Sequence, residues 1–161
     1  MRKMKQLCLF SFWRGYCSSE GQQRGWRFTR LMSVETMKIL TRILLVDDEE
    51  AVLFGLSGVL LGPGIAVDCA RSADEALGLI EANHYTAAII DMSLSKSVEL
   101  EGLMLINKIK AKQKECRIIV VSGHGEEDVM HRAIVKGAHM FFVKPYEPCR
   151  VKETLKTMHV L

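Results

Sequence analysis

Arg42-Ile-Leu-Leu-Val-Asp47-Asp48-Glu49-Glu50 is the stretch that decides the fold. A continuous apolar run that ends in acid suits a strand covered on both faces, because a half-exposed strand would alternate apolar and polar residues. Working outward, Glu49–Leu61 carries apolar residues at helical spacing until Gly62-Pro63-Gly64 stops it. Ala66–Ala70 reads as a short strand. Ser72 then opens a helix through about Glu81, with Glu75 three residues on to form a capping box.

The same alternation repeats to the end of the chain. Thr86–Asp91 is a second apolar run closing on an acid, and Gly102–Lys112 is an amphipathic helix with Leu103, Ile106 and Ile109 on one side. Arg117–Val121 reads as a strand ending at Ser122, and Glu126–Lys136 as the next helix. His139–Val143 is a fifth strand ending at Lys144-Pro145, and Val151, Leu155 and Met158 give a last helix its buried stripe. Five strand–helix alternations without an internal repeat predict an α/β fold, a parallel sheet with helices on both faces. Functional groups in such sheets gather beyond the carboxyl ends of the strands. The polar residues that interrupt the apolar pattern, Asp47-Asp48, Asp91, Ser122 and Lys144, all stand at such ends.

Each of these residues alone has an ordinary explanation. A strand-end Asp commonly caps the next turn, a Ser ties down a loop, and a Lys is a surface charge. Together they depend on one another. Three carboxylates at one edge repel and raise each other's pKa. A hard divalent cation that takes oxygen ligands and keeps some waters, as Mg²⁺ does, relieves that repulsion, and Lys144 adds a compensating charge. A carboxylate so placed can attack a phosphoryl group. Cation and ammonium then stabilise the phosphoryl oxygens, and the Ser122 hydroxyl can hydrogen-bond them.

Leu44-Leu45-Val46-Asp47-Asp48-Glu49, Ile89-Ile90-Asp91-Met92, Val121-Ser122-Gly123 and Phe142-Val143-Lys144-Pro145 resemble, in order and spacing, the motifs of the response regulator receiver domain family. The resemblance covers about residues 41–159. It implies a flavodoxin-like, doubly wound, three-layer fold, with five parallel strands in the order 2-1-3-4-5 and five helices. It implies that Asp91 is the phosphoacceptor, that Asp47 and Asp48 form the acidic pair for Mg²⁺, and that Asp48, Asp91 and the backbone carbonyl of Ser93 are direct ligands. Ser122 becomes the switch hydroxyl and Lys144 the phosphate-pairing cation. Lys144-Pro145 is expected to be a cis peptide. Phe141 stands where the family has its switch aromatic, although a strand Phe is more often plain core. Ser93 and His124 occupy positions that tune phosphate lifetime in the family. One departure is the stretch Met92–Glu101, about three residues longer than usual and without Pro.

By the same resemblance the chain is a phosphorylation-activated switch of a two-component system rather than an enzyme with an external substrate. It is expected to take its phosphoryl group from a histidine kinase or histidine phosphotransfer protein, and to signal through the face of helix 4, strand 5 and helix 5. A phosphorylation-dependent homodimer is compatible with that scheme. Three rivals stand against it. A haloacid-dehalogenase-type phosphatase wants a second Asp two residues after the nucleophile, where Ser93 stands. A flavodoxin needs a phosphate loop where four acids, Asp47 to Glu50, follow the first strand. A degenerate receiver acting as an inert interaction module would have lost one of the acids or Lys144, and none is lost.

Composition narrows the class further. Of 161 residues, 48% are hydrophobic and 25% charged, as in an ordinary globular protein with one sizeable core. The net charge of +3 misleads, because residues 1–31 hold seven basic side chains against Glu20, leaving the rest mildly acidic. No basic surface for nucleic acid is expected on residues 41–161, and no apolar run is long enough for a membrane span. Five cysteines without CxxC spacing argue against a zinc site or disulfide framework, and Cys69 and Cys116 are expected as small strand-side hydrophobes. A reducing cytoplasm fits. Residues 1–40, with both tryptophans and no periodicity, are expected to be a disordered or spurious extension before a receiver domain at 41–161, with translation starting at Met32 or Met37 as an alternative. They lack a signal-peptide cleavage motif. With the chain ending at Leu161, no output domain is expected.

Overall fold

The computed structural model describes residues 41–94, 100–123 and 127–161. The expectations for residues 1–40 and for His124 therefore lie outside the described residues. The chain order is β1 (Thr41–Val46), α1 (Glu50–Leu60), β2 (Ile65–Ala70), α2 (Ala73–Ala82), β3 (Ala87–Asp91), α3 (Leu100–Lys112), β4 (Arg117–Ser122), α4 (Glu127–Val135), β5 (Met140–Val143) and α5 (Pro148–Thr157). All four strand pairings are parallel, in the order β2-β1-β3-β4-β5. The α/β, doubly wound architecture is the one expected.

Alternation along the strands splits the apolar residues between two cores. Leu44, Val46, Ala88, Ile90, Ile118 and Val120 pack with residues of α2, α3 and α4. Ile43, Leu45, Ala87, Ile89, Ile119 and Val121 face the other way, against Leu53, Leu56 and Leu60 of α1 and Val151 and Leu155 of α5. This is the physical meaning of the uninterrupted apolar runs: β1, β3 and β4 are the inner strands, so both of their faces leave water.

The exceptions sit at the edges. Cys116 is buried as expected, but Cys69 is exposed. It lies on β2, an edge strand with a single neighbour and few buried positions. The capping box at α2 is displaced by one residue. Ser72 Oγ accepts the Glu75 N–H at 3.3 Å, whereas Glu75 Oε2 accepts from the N–H of Arg71, at 2.8 Å, instead of Ser72. Helix α3 begins at Leu100, so Gly102 lies inside its first turn and does not open it.

Candidate functional site

The same alternation aims the polar strand ends. Asp47 and Asp91 continue the series Ile43-Leu45 and Ala87-Ile89, towards α1 and α5. Ser122 continues Ile118-Val120, towards α2, α3 and α4. Asp47, Asp91 and Ser122 are all buried, while Asp48 is exposed.

Lys144 follows β5 immediately, and its N–H donates to the Ser122 carbonyl at 2.8 Å, so the ladder carries it one residue past the strand. Its Nζ donates to Asp91 Oδ2 at 2.7 Å and to Asp47 Oδ2 at 3.0 Å. Glu49 Oε1 stands 3.8 Å from the same ammonium. The other oxygens are held by backbone: Glu49 N–H donates to Asp47 Oδ1 at 2.9 Å, and Ser93 N–H to Asp91 Oδ1 at 3.0 Å. Both bonds run from the residue two positions on, the Asx-turn geometry natural to an Asp that ends a strand. The Lys144-Pro145 peptide is cis.

The electrostatics follow from burial. Loss of water holds the Asp47 carboxyl above its ordinary value, outweighing the backbone bond from Glu49 and the Lys144 ammonium that pull the other way. Burial also works against the charge on Lys144, but its hydrogen bonds to Asp91 and Asp47 dominate and hold it above its ordinary value. The ammonium is therefore the fixed positive charge of the site.

Carboxylate oxygens of Asp47, Asp48 and Asp91 lie within 4.8 Å of one another. Three hard anionic oxygen donors in that space, two on buried residues and one exposed, fit a divalent cation that takes oxygen ligands and retains water. They do not resemble the nitrogen and sulfur sets typical of zinc.

The structure brings Asp47, Asp48, Asp91 and Lys144 together. Ser122 lies at the adjacent strand end and pairs with Val143 in the β4–β5 register. Phe141, paired with Val120, is half-buried against the core on the same side of the sheet as Ser122. Ser93 is exposed directly after the pocket. Two neighbours went unassigned in the sequence reading. Glu49 is one; the other is Tyr146, which lines a crevice with Asp47, Asp91, Leu53 and Leu56 beside α1. Burial first, then the charges of Asp47 and Asp91, push the Tyr146 hydroxyl above its ordinary pKa. An aromatic directly after Lys144-Pro145 was the only signal for it.

On the outer face, Met130, Ile134 and Val135 of α4 and Met140 and Val143 of β5 are exposed apolar residues. Among the described residues no helix is long and apolar enough to cross a membrane.

Comparison with known proteins bears on family and fold. The family model of the response regulator receiver domain matches residues 43–156. The nitrogen assimilation regulatory protein NtrX of Azorhizobium caulinodans is 36% identical over 109 residues, 68% of this chain and 24% of that protein. The response regulator protein TodT of Pseudomonas putida is 33% identical over 104 residues, 65% of this chain and 44% of that protein. The chain thus spans less than half the length of these relatives. A response regulator from Burkholderia pseudomallei, solved with a phosphorylated aspartic acid, a calcium ion and citrate, superposes with a TM-score of 0.65 at 29% identity, over 73% of this chain and 67% of that one.

Proposed function

The chain belongs to the response regulator receiver domain family, and on that premise we propose that it is a phosphorylation-driven switch of a two-component system, with Asp91 as its phosphoacceptor. The observation that carries the reading is the Lys144 ammonium 2.7 Å from Asp91 and 3.0 Å from Asp47, within a cluster of three carboxylates. A buried carboxylate is a poor nucleophile towards an anionic phosphoryl group unless positive charge offsets the repulsion.

An oxygen of Asp91 forms the new bond to phosphorus while the bond from phosphorus to its carrier, a phosphohistidine nitrogen of a histidine kinase or phosphotransfer protein, breaks. The leaving imidazole regains a proton from solvent. Mg²⁺ is the cation the site suits: Asp48, Asp91 and the Ser93 carbonyl would hold it with Asp47 beside them, and it would supply charge neutralisation for the phosphoryl oxygens. Lys144 pairs with the phosphoryl group. Ser122 donates its hydroxyl to it, and Phe141, on the same face, follows that movement. Ser93 and His124 tune how long the acyl phosphate survives.

The switched surface is the one formed by α4, β5 and α5, where Met130, Ile134 and Val143 offer apolar contact to a protein partner or a second copy. Cytoplasmic placement follows from a cytoplasmic phosphoryl donor. No reaction beyond the chain's own phosphorylation and hydrolysis is assigned.

The test is incubation with acetyl phosphate and Mg²⁺ followed by intact mass. One added phosphoryl group, removed by hydroxylamine and absent in Asp91→Asn, is the expected result. An unchanged mass with both acetyl phosphate and a cognate kinase would make the chain a phosphorylation-independent interaction module.

A further inference from the structure

We infer that Gly102 is a positioning residue for Asp91, acting through Met92; the inference rests on the reading of Asp91 as phosphoacceptor. Met92 follows Asp91 directly. Its N–H donates to the Val121 carbonyl at 2.8 Å, continuing the β3–β4 register in which Asp91 pairs with Val121. Its side chain is buried in the core shared with α2, α3 and α4. One side of the segment after Asp91 is thus fixed by the sheet.

The other side is fixed by α3. Gly102 is buried in the first turn of that helix. A Cβ placed on it would lie 2.7 Å from Met92 Sδ, 3.2 Å from Met92 Cα and 3.4 Å from Met92 Cε. The sulfur belongs to a flexible side chain and can move. The Cα belongs to the backbone adjoining Asp91, and relieving that contact shifts it by a few tenths of an ångström.

Glycine is a poor helix former, and at Gly102 the close approach of Met92 gives a packing reason for it. The glycines Gly58 in α1 and Gly78 in α2 offer a contrast, since a Cβ on either meets nothing within 4 Å. Among the described glycines, only at Gly102 does the missing side chain let a helix press on the residue that follows the acceptor. Met92 is thus held between the β4 backbone on one side and Gly102 of α3 on the other.

The experiment measures the rate of acetyl-phosphate labelling at saturating Mg²⁺, per folded molecule, with the folded fraction taken from circular dichroism. Gly102→Ala is expected to lower the rate about tenfold, the scale of loss from a sub-ångström misplacement of a reacting group. Gly58→Ala and Gly78→Ala are expected to keep the wild-type rate and to melt at the same or a higher temperature. Met92→Ala removes the contact from the other side, and its effect on the logarithm of the rate should be non-additive with that of Gly102→Ala.

A wild-type rate in Gly102→Ala, or strict additivity of the two changes, overturns the inference. Should Gly102→Ala not fold, Met92→Ala alone decides: a reduced rate per folded molecule supports the clamp and a wild-type rate overturns it. Failure of the parent reading is distinguishable, because wild-type protein would then carry no label on Asp91.

Discussion

Lys144 Nζ lies 2.7 Å from Asp91 Oδ2, joining the residue after an edge strand to the end of the central strand of the sheet. Asp47 shares the same ammonium at 3.0 Å. Removing Lys144 strands two buried carboxylates without their counter-charge. In EDTA, Lys144→Gln should lose about 2–3 kcal/mol of stability, less than for a fully enclosed pair because the lysine is partly exposed. Saturating Mg²⁺ should recover at least half of that, since the cation neutralises the same carboxylates. Urea denaturation with and without Mg²⁺ checks this, and an equal loss in both conditions would contradict it.

Ser122 is 3% exposed and shares its face of the sheet with Phe141. Its proposed task begins after phosphate has arrived. Ser122→Ala should therefore still accumulate the acyl phosphate, while the phosphorylation-dependent change at Phe141 disappears. Fluorine NMR on fluorophenylalanine-labelled protein reads the ring directly. A ring that still responds fully in the variant would dissociate Phe141 from Ser122.

Gln113 marks a purely structural weak point. It is buried at the end of α3, where Oε1 accepts the Tyr85 N–H at 2.7 Å and Nε2 donates to the Asn83 carbonyl at 2.8 Å. These bonds pin the segment between α2 and β3. Gln113→Ala leaves an N–H and a carbonyl unpaired and should cost about 2–3 kcal/mol in urea denaturation. Asp91 labelling per folded molecule should be unaffected, because the clamp lies at the opposite end of β3.

Burial pushes the Cys116 thiol from its ordinary 9.0 up to about 12. Between those values the unfolded chain has released the proton and the folded chain keeps it, so stability must fall as pH rises through the window. The slope is about 1.4 kcal/mol per pH unit at most. Cys116→Ala lacks this contribution, so the stability difference between wild type and variant should shrink from pH 9 to pH 12. In native protein at pH 9, iodoacetamide should modify exposed Cys149 and spare Cys116. Rapid Cys116 alkylation without unfolding would rule this out.

The sequence by itself determined the fold class and the end of the sheet where the chemistry gathers. Two-sided burial demands uninterrupted apolar runs, and in β1, β3 and β4 those runs give way to polar residues at the carboxyl ends, after Val46, Ile90 and Val121. Such local rules are read along the chain, and motif order supplied the rest. Tertiary structure decided which groups share a pocket and how deep each one sits. Burial of Asp47 beside an exposed Asp48 depends on the phase of the pleat against α1 and α5. Exposure of Cys69 depends on β2 having only one neighbour. The Gln113 clamp and the Gly102–Met92 contact join residues distant in sequence. Close packing and hydrogen-bond satisfaction are properties of neighbours in space, and no periodicity along one chain encodes them.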